Sequence, residues 1–130
     1  MKYILMMNCR RRVMTHLEPG RKRTFAHIAF MHGLNKALRE SGELVSNEGL
    51  ASPHQAQIVR AGKDGAPITD GVFPDAKEFL AGYWIVDVES PERAYEIAAR
   101  ASAAPGPIGA LLNMPIEVRQ VMSGPPEEWL

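Results

Sequence analysis

Residues 79–88 constrain the fold of this 130-residue chain more than any other segment, because they are apolar on both sides of an extended strand. In a strand, successive side chains point to opposite faces. The side chains therefore divide into two sets, which are Tyr83, Ile85 and Asp87 on one face and Trp84, Val86 and Val88 on the other. Both sets are largely apolar, so the strand is expected to be covered on both faces.

The rest of the chain contains further segments with the pattern of regular secondary structure. Short apolar runs predict strands at residues 3–7, 43–50 and 116–122, and a small hairpin at 57–60 and 67–69. The turn of that hairpin, at 61–65, contains two glycines and an aspartate. Helical periodicity predicts one helix at 24–41 and another that starts after Ser90. Residues 8–20, which include Pro19 and Gly20, are predicted to form a loop.

Capping and turn residues mark the ends of both helices. Thr24 can cap the first helix, and Gly42 suits the left-handed turn that ends it. Ser90 followed by Pro91 is a typical helix start, and the prolines of residues 104–107 end that helix. Apolar side chains recur at three- and four-residue steps, at Ile28, Met31, Leu34 and Leu38 in the first helix and at Ala94, Ile97, Ala98 and Ala101 in the second.

Without the hairpin, the order of elements is βαββαβ, which predicts an α+β domain of the ferredoxin-like type. Both helices would pack on one face of an antiparallel sheet and leave the other face bare. A bare apolar face is too large a patch for a monomer. A second copy packed sheet against sheet, as in a dimeric α+β barrel, would cover it. The alternative is that the inserted hairpin folds over the face. One domain is expected at 1–122, with a loosely held tail at 123–130.

The composition excludes several classes of function. Fifteen basic and fifteen acidic side chains give a formal net charge of zero, so no overall field favours nucleic acid or an anionic membrane. Five arginines and one lysine cluster within residues 10–23. This segment is either a solvated loop or a patch that binds an anion or an acidic partner. Cys9 is the single cysteine, so neither an intrachain disulfide nor a Cys-based zinc site is possible.

Targeting and cofactor signals are also missing from the sequence. No signal peptide and no apolar stretch long enough to span a bilayer is visible, so a cytoplasmic protein is expected. No Gly-rich phosphate loop and no dinucleotide fingerprint occurs. No cofactor or metal is therefore expected.

Residues 69–83 read Thr-Asp-Gly-Val-Phe-Pro-Asp-Ala-Lys-Glu-Phe-Leu-Ala-Gly-Tyr. This segment resembles the signature of the DGPF branch of the YCII-related family, in which Asp-Gly-Pro-Phe precedes an acidic residue, Lys-Glu and a glycine-containing strand. Residues 42–50 and 115–119 resemble the second and last strands of that family. The resemblance covers residues 2–122 and is weakest at 8–20. Val72 replaces the family's proline and loosens the turn that positions Asp70.

The resemblance implies a dimeric ferredoxin-like α+β fold. It also implies a histidine and an aspartate that line a cleft and act as a catalytic pair. For some relatives, it implies an association with extracytoplasmic-function sigma factors, which suggests a regulatory role instead.

His27 is the strongest single candidate for chemistry. It lies four residues before Met31 and eleven before Leu38, on the inward line of the first helix. Histidine titrates near neutral pH and suits proton transfer. The alternative is a core histidine that is satisfied by a backbone carbonyl. His32 is five residues further along and so on another face, which argues against a paired-histidine metal site. His32 is expected at the boundary of the site, where it can contact a ligand.

Asp70 is the second candidate, either as the partner that orients His27 or as a turn residue that bonds its own backbone. Lys77 and Glu78 either close the pocket as ligand-binding residues or form an exposed ion pair.

Two hypotheses follow for the function. The first is a cofactor-independent lyase or isomerase that acts on a small acidic or aromatic molecule, with His27 as base, Asp70 as its partner, and Lys77 or an arginine holding the anion. The second is a non-catalytic dimeric module that binds a metabolite or a protein and is linked to sigma-factor regulation.

Overall fold

The computed structural model describes residues 1–10, 25–70, 78–105 and 113–124. Within them the chain forms six strands, two α-helices and one turn of 3-10 helix at Pro53–Gln55. The elements in chain order are β1 (Lys2–Arg10), α1 (Phe25–Glu40), β2 (Leu44–Gly49), β3 (Val59–Ala61), β4 (Pro67–Thr69), β5 (Glu78–Asp87), α2 (Pro91–Ser102) and β6 (Ile116–Gln120).

Four strands form the main sheet in the order β2-β5-β1-β6, and every neighbouring pair is antiparallel. Strands β3 and β4 form a separate two-stranded hairpin. The structure therefore confirms an α+β fold, and the strand order agrees with the ferredoxin-like arrangement.

The helix ends follow the local sequence. Gly42 has φ +78°, and the amides of Gly42 and Glu43 donate to the carbonyls of Arg39 and Leu38. This is the Schellman pattern that a glycine makes possible at the end of α1. At the start of α2, the Ser90 hydroxyl accepts from the amide of Arg93. Both predictions are confirmed, whereas the predicted Thr24 cap lies outside the described residues.

The core lies between the helices and one face of the sheet. Leu5, Trp84 and Val86 of the sheet are buried against both helices. The helices contribute Leu34 and Leu38 from α1 and Ala94, Ile97, Ala98 and Ala101 from α2. The Trp84 indole nitrogen donates to the Asn35 side-chain oxygen at 2.8 Å. This bond ties the central strand to α1 and satisfies a polar group that would be costly to bury alone.

The opposite side of the sheet, the outer face, holds none of the buried core residues. Pairing across the four strands arranges its side chains in two rows, which are Ser46–Ile85–Ile4–Arg119 and Glu48–Tyr83–Met6–Glu117. Its four central apolar side chains are only partly buried within one chain. Among the described residues, β3 and β4 make no extensive contact with the main sheet. The sequence predicts that this face is covered, but no described part of the chain covers it.

Two details differ from the sequence expectations. Strand β1 continues through residues 8–10, where a loop was predicted, because β5 is long enough to pair with them. Ile28 was placed on the buried stripe of α1, but it is 42% exposed. On the core face of the sheet, the row beyond Trp84 carries glycines at Gly49 and Gly82 and offers few side chains for a helix to pack against.

Candidate active site at one end of the sheet

One end of the main sheet brings together parts of the chain that are far apart in sequence. Near the end of β1, Cys9 lies opposite Phe79 of β5. The first turn of α1 is there as well, since His27 contacts Pro105, which follows α2. Met114, just before β6, contacts Cys9. These five residues define what we call the Cys9 end of the sheet.

His27 is half-buried, and its Nδ1 atom lies 3.1 Å from the carbonyl oxygen of Pro105. A carbonyl oxygen can only accept a hydrogen bond, so Nδ1 carries the proton. In the neutral ring, Nε2 is then the basic nitrogen. Contacts of this kind commonly fix both the tautomer and the orientation of a catalytic histidine. The inward position predicted for His27 agrees with this burial, and the backbone carbonyl contact fits a core histidine equally well.

Cys9 is buried, and its Sγ atom lies 3.4 Å from the Met114 sulfur. The Ser102 hydroxyl donates to the Met114 carbonyl oxygen at 2.7 Å, which holds this methionine at the end of α2. Sulfur atoms in such a setting behave as polarizable packing groups. Cys9 therefore contributes to the packing of this end of the sheet.

Gly49 and Gly82 face each other across β2 and β5, on the same face as Trp84, and we call them the glycine pair. A Cβ atom on Gly82 would lie 2.9 Å from the Glu48 carbonyl oxygen, whereas one on Gly49 would have no described atom within 4 Å. At these two positions, β2 and β5 carry no side chains on the core face of the sheet. A flat group of a ligand can approach a backbone closely where glycine is present.

Asp70 lies at the end of the hairpin and is exposed. Its Oδ2 atom accepts from Arg60 Nε at 2.7 Å, and its amide donates to the Ile58 carbonyl. Both His27 and Asp70 are described, and no hydrogen bond or ion pair joins them directly. The alternative bond between Asp70 and the backbone of the turn that follows it would involve residues 71–77, outside the described residues, and stays a prediction.

A family model for the YCII-related domain matches residues 1–116 of the chain. The chain belongs to the YCII-related domain family. None of the curated proteins compared with this YCII-related chain matches it. The segment that resembles the DGPF signature falls largely on residues 71–77, outside the described residues, so membership of that branch stays a prediction.

The remaining predicted site residues of this YCII-related domain are His32, Lys77 and Glu78. His32 is exposed on α1, one turn beyond His27. Glu78 is the exposed first residue of β5 and pairs in register with Arg10 of β1. Lys77 lies outside the described residues, so a closed pocket involving Lys77 and Glu78 stays a prediction.

The described residues also bear on metal sites and on membrane-spanning helices. Across residues 1–10, 25–70, 78–105 and 113–124, no cluster of three or more His, Cys, Asp or Glu side chains is arranged to hold a metal ion. In the same ranges, neither helix is both long enough and apolar enough to cross a membrane.

The most extensive ion pair among the described residues lies at the opposite end of the sheet. Arg93 of α2 contacts both carboxylate oxygens of Glu43 at 2.9 Å, and Ser41 donates to the same carboxylate at 2.8 Å. These bonds, mainly those from Arg93, hold the pKa of Glu43 below its ordinary value, against the opposing effect of burial. The pair clamps the start of β2 to α2, remote from His27, and its role is structural.

Sequence reasoning missed two features of the candidate site, namely the Cys9–Met114 contact and the glycine pair. Gly49 and Gly82 were visible as strand glycines, which often mark a close approach of another group. Their pairing across two strands depends on the register, which the sequence alone does not specify.

Proposed function

We propose that this YCII-related protein is a small-molecule enzyme that works by acid–base chemistry, with His27 as the group that transfers the proton. The observation that carries the proposal is the contact of His27 Nδ1 with the Pro105 carbonyl. It supports a tautomer with the proton on Nδ1, in which Nε2 is the atom that takes a proton from the substrate. The imidazolium formed in that step keeps its bond to Pro105 and returns the proton to the product.

The proposed substrate is a small acidic or aromatic molecule, and the reaction is of the lyase or isomerase type without an obligatory cofactor. Two features support this class. A Cβ on Gly49 would have no described atom within 4 Å, which leaves space for a flat group beside β2. His32 is exposed midway along α1, and Glu78 is the exposed first residue of β5. Lys77 is proposed to hold the anionic group of the substrate.

Asp70 enters the proposal as the partner of His27, on the strength of the family resemblance. The exposed ion pair between Asp70 and Arg60 is worth little in water, at most about 1 kcal/mol. Asp70 can therefore release Arg60 and bind the substrate or the His27 ring instead, at a small cost in free energy.

The proposed enzyme is a cytoplasmic homodimer in which the outer face of each sheet is covered by the second copy. Ile4, Met6, Tyr83 and Ile85 form a contiguous apolar centre on that face, and burial of such a centre favours association. Because the face is the same in both copies, the interface would be self-complementary and two-fold symmetric.

The second candidate function is a non-catalytic dimeric module that binds a metabolite or a protein and acts in sigma-factor regulation. One observation favours it, which is that Asp70 is bonded to Arg60 and not to His27. A His/Asp pair is then not assembled before a ligand binds.

The test is NMR observation of the His27 ring, during pH titration and during addition of a panel of small carboxylic and aromatic acids. We expect at least one acid to change the chemical shifts of the His27 ring. We expect the His27→Gln variant not to turn over that acid. His54→Gln is the matched control, because His54 is exposed on the 3-10 turn. A His27 ring that responds to no ligand, together with co-purification of a sigma factor, would favour the regulatory module.

A further inference from the structure

The charged residues at the two edges of the outer face define how a second copy can pack on it. The apolar centre of that face does not favour one orientation of the second copy over another, since it presents apolar groups in every orientation. The edges differ, because β6 carries Arg119 in one row and Glu117 in the next, whereas β2 carries Ser46 and Glu48. Arg119 and Glu117 are both exposed, and neither forms an ion pair with a described residue.

Two sheets that pack face to face with aligned strands can be related by a two-fold axis in either of two directions. If the axis runs along the strands, each row faces the same row of the second copy with its ends exchanged. Glu117 then lies opposite the partner's Glu48, and this contact between like charges occurs twice. Arg119 lies opposite the partner's Ser46 and leaves its charge without an acidic neighbour.

If the axis runs across the strands, the rows are exchanged and each strand faces its own copy. Arg119 then lies opposite the partner's Glu117, and symmetry repeats this pair. Glu48 lies opposite the partner's Ser46, whose hydroxyl can donate to the carboxylate. The four central positions still meet apolar groups, so the second arrangement keeps the burial and removes the repulsion.

We propose that two copies of this chain pack outer face to outer face with the two-fold axis across the strands, so that Arg119 of each copy pairs with Glu117 of the other. This inference rests on the proposed dimer and goes beyond it, because it assigns the direction of the symmetry axis. Charge complementarity of this kind selects an orientation more than it adds affinity.

Charge reversal tests the arrangement through the dimer dissociation constant, measured by sedimentation equilibrium at low salt. Glu117→Arg and Arg119→Glu are each expected to raise that constant about tenfold, since each creates two contacts between like charges. The double variant restores the pairs with their signs exchanged and is expected to return close to the wild-type value. Glu40→Arg is the matched control, because it makes the same change of charge on the exposed side of α1.

The outcomes separate the two levels of the proposal. A wild-type protein that is monomeric at micromolar concentration overturns the dimer itself. A dimer that is tightened by Glu117→Arg overturns only the axis, because that change would relieve the repulsion from the partner's Glu48 in the other arrangement. Equal dissociation constants for all variants also overturn it. We expect the differences between the dissociation constants to shrink in 0.5 M salt, because the screening length of exposed charges is then only about 4 Å.

Cross-linking provides a second measurement that does not depend on affinity. A mixture of Glu117→Cys and Arg119→Cys proteins is expected to form covalent dimers with a short bismaleimide. A mixture of Glu48→Cys and Glu117→Cys proteins is expected to give no covalent heterodimer, and formation of that heterodimer would overturn the proposal. Cys9 is buried and adds little background.

Discussion

Replacing Glu43 by glutamine removes the charge from the clamp between the start of β2 and α2. Arg93 donates to both Glu43 oxygens at 2.9 Å, and the side chains are 17% and 35% exposed for Glu43 and Arg93. A hydrogen bond to a charged group contributes about 1.5 to 3 kcal/mol when it is shielded from water. Because Arg93 is partly exposed and keeps Glu96, we expect Glu43→Gln to lower the free energy of unfolding by about 1 to 2 kcal/mol.

Thermal unfolding followed by circular dichroism measures this loss, which corresponds to a decrease in Tm of about 3 to 8 °C for a domain of this size. Glu96→Gln is the control. The Glu96 carboxylate also binds Arg93, at 3.0 Å, but its side chain is 65% exposed. We expect that control to lose less than about 0.5 kcal/mol.

The same pair predicts how stability changes with pH. The pKa of Glu43 is lower in the folded protein than its ordinary value of 4.5, because Arg93 bonds to the charged carboxylate. The stabilisation is therefore fully present above pH 4.5 and is lost as the pH falls through the folded-state pKa. The difference in Tm between wild type and Glu43→Gln should shrink in acid. Equal losses for Glu43→Gln and Glu96→Gln at neutral pH, or a difference that does not change down to pH 3, would refute the reasoning.

Two further predictions concern local geometry. Gly82→Ala should cost about 1 to 3 kcal/mol in urea unfolding, because its Cβ would lie 2.9 Å from the Glu48 backbone oxygen, whereas Gly49→Ala meets no described atom and should be nearly neutral. A stable Gly82→Ala protein would contradict the register of β2 and β5. Ser90→Ala should cost about 1 kcal/mol through loss of the α2 cap on the Arg93 amide, and recovery of most of that loss in Ser90→Asp would confirm the cause.

The types and order of the regular elements were predictable because they depend on neighbours along the chain. Gly42 and Ser90 act within one turn of their own helices, and the small residues of α2 repeat at the spacing that a helix requires. The strand at 79–88 was recognisable from its alternating apolar side chains. The sequence also predicts that this strand is covered on both faces. In a single chain, the described residues cover the core face and leave the apolar side chains of the outer face only partly buried.

The candidate site was predictable only in part. The inward direction of His27 follows from its spacing to Met31 and Leu38, but its partner, the Pro105 carbonyl, comes from a segment 78 residues away. Asp70 was recognisable as a turn residue, whereas its bond to Arg60 depends on the register of the hairpin. Contacts of this kind are set by which strands become neighbours, and periodicity carries no information about that choice.

The strands, the helices, their caps and the apolar faces could be predicted from the order of residues, since short-range sterics and hydrogen bonding act within a few residues. The extension of β1 to Arg10, the clamp between Glu43 and Arg93, and the alignment of Gly49 with Gly82 became visible only in the folded chain. The physical reason is that each of these depends on strand order and register, which arise when distant segments bury their apolar faces together.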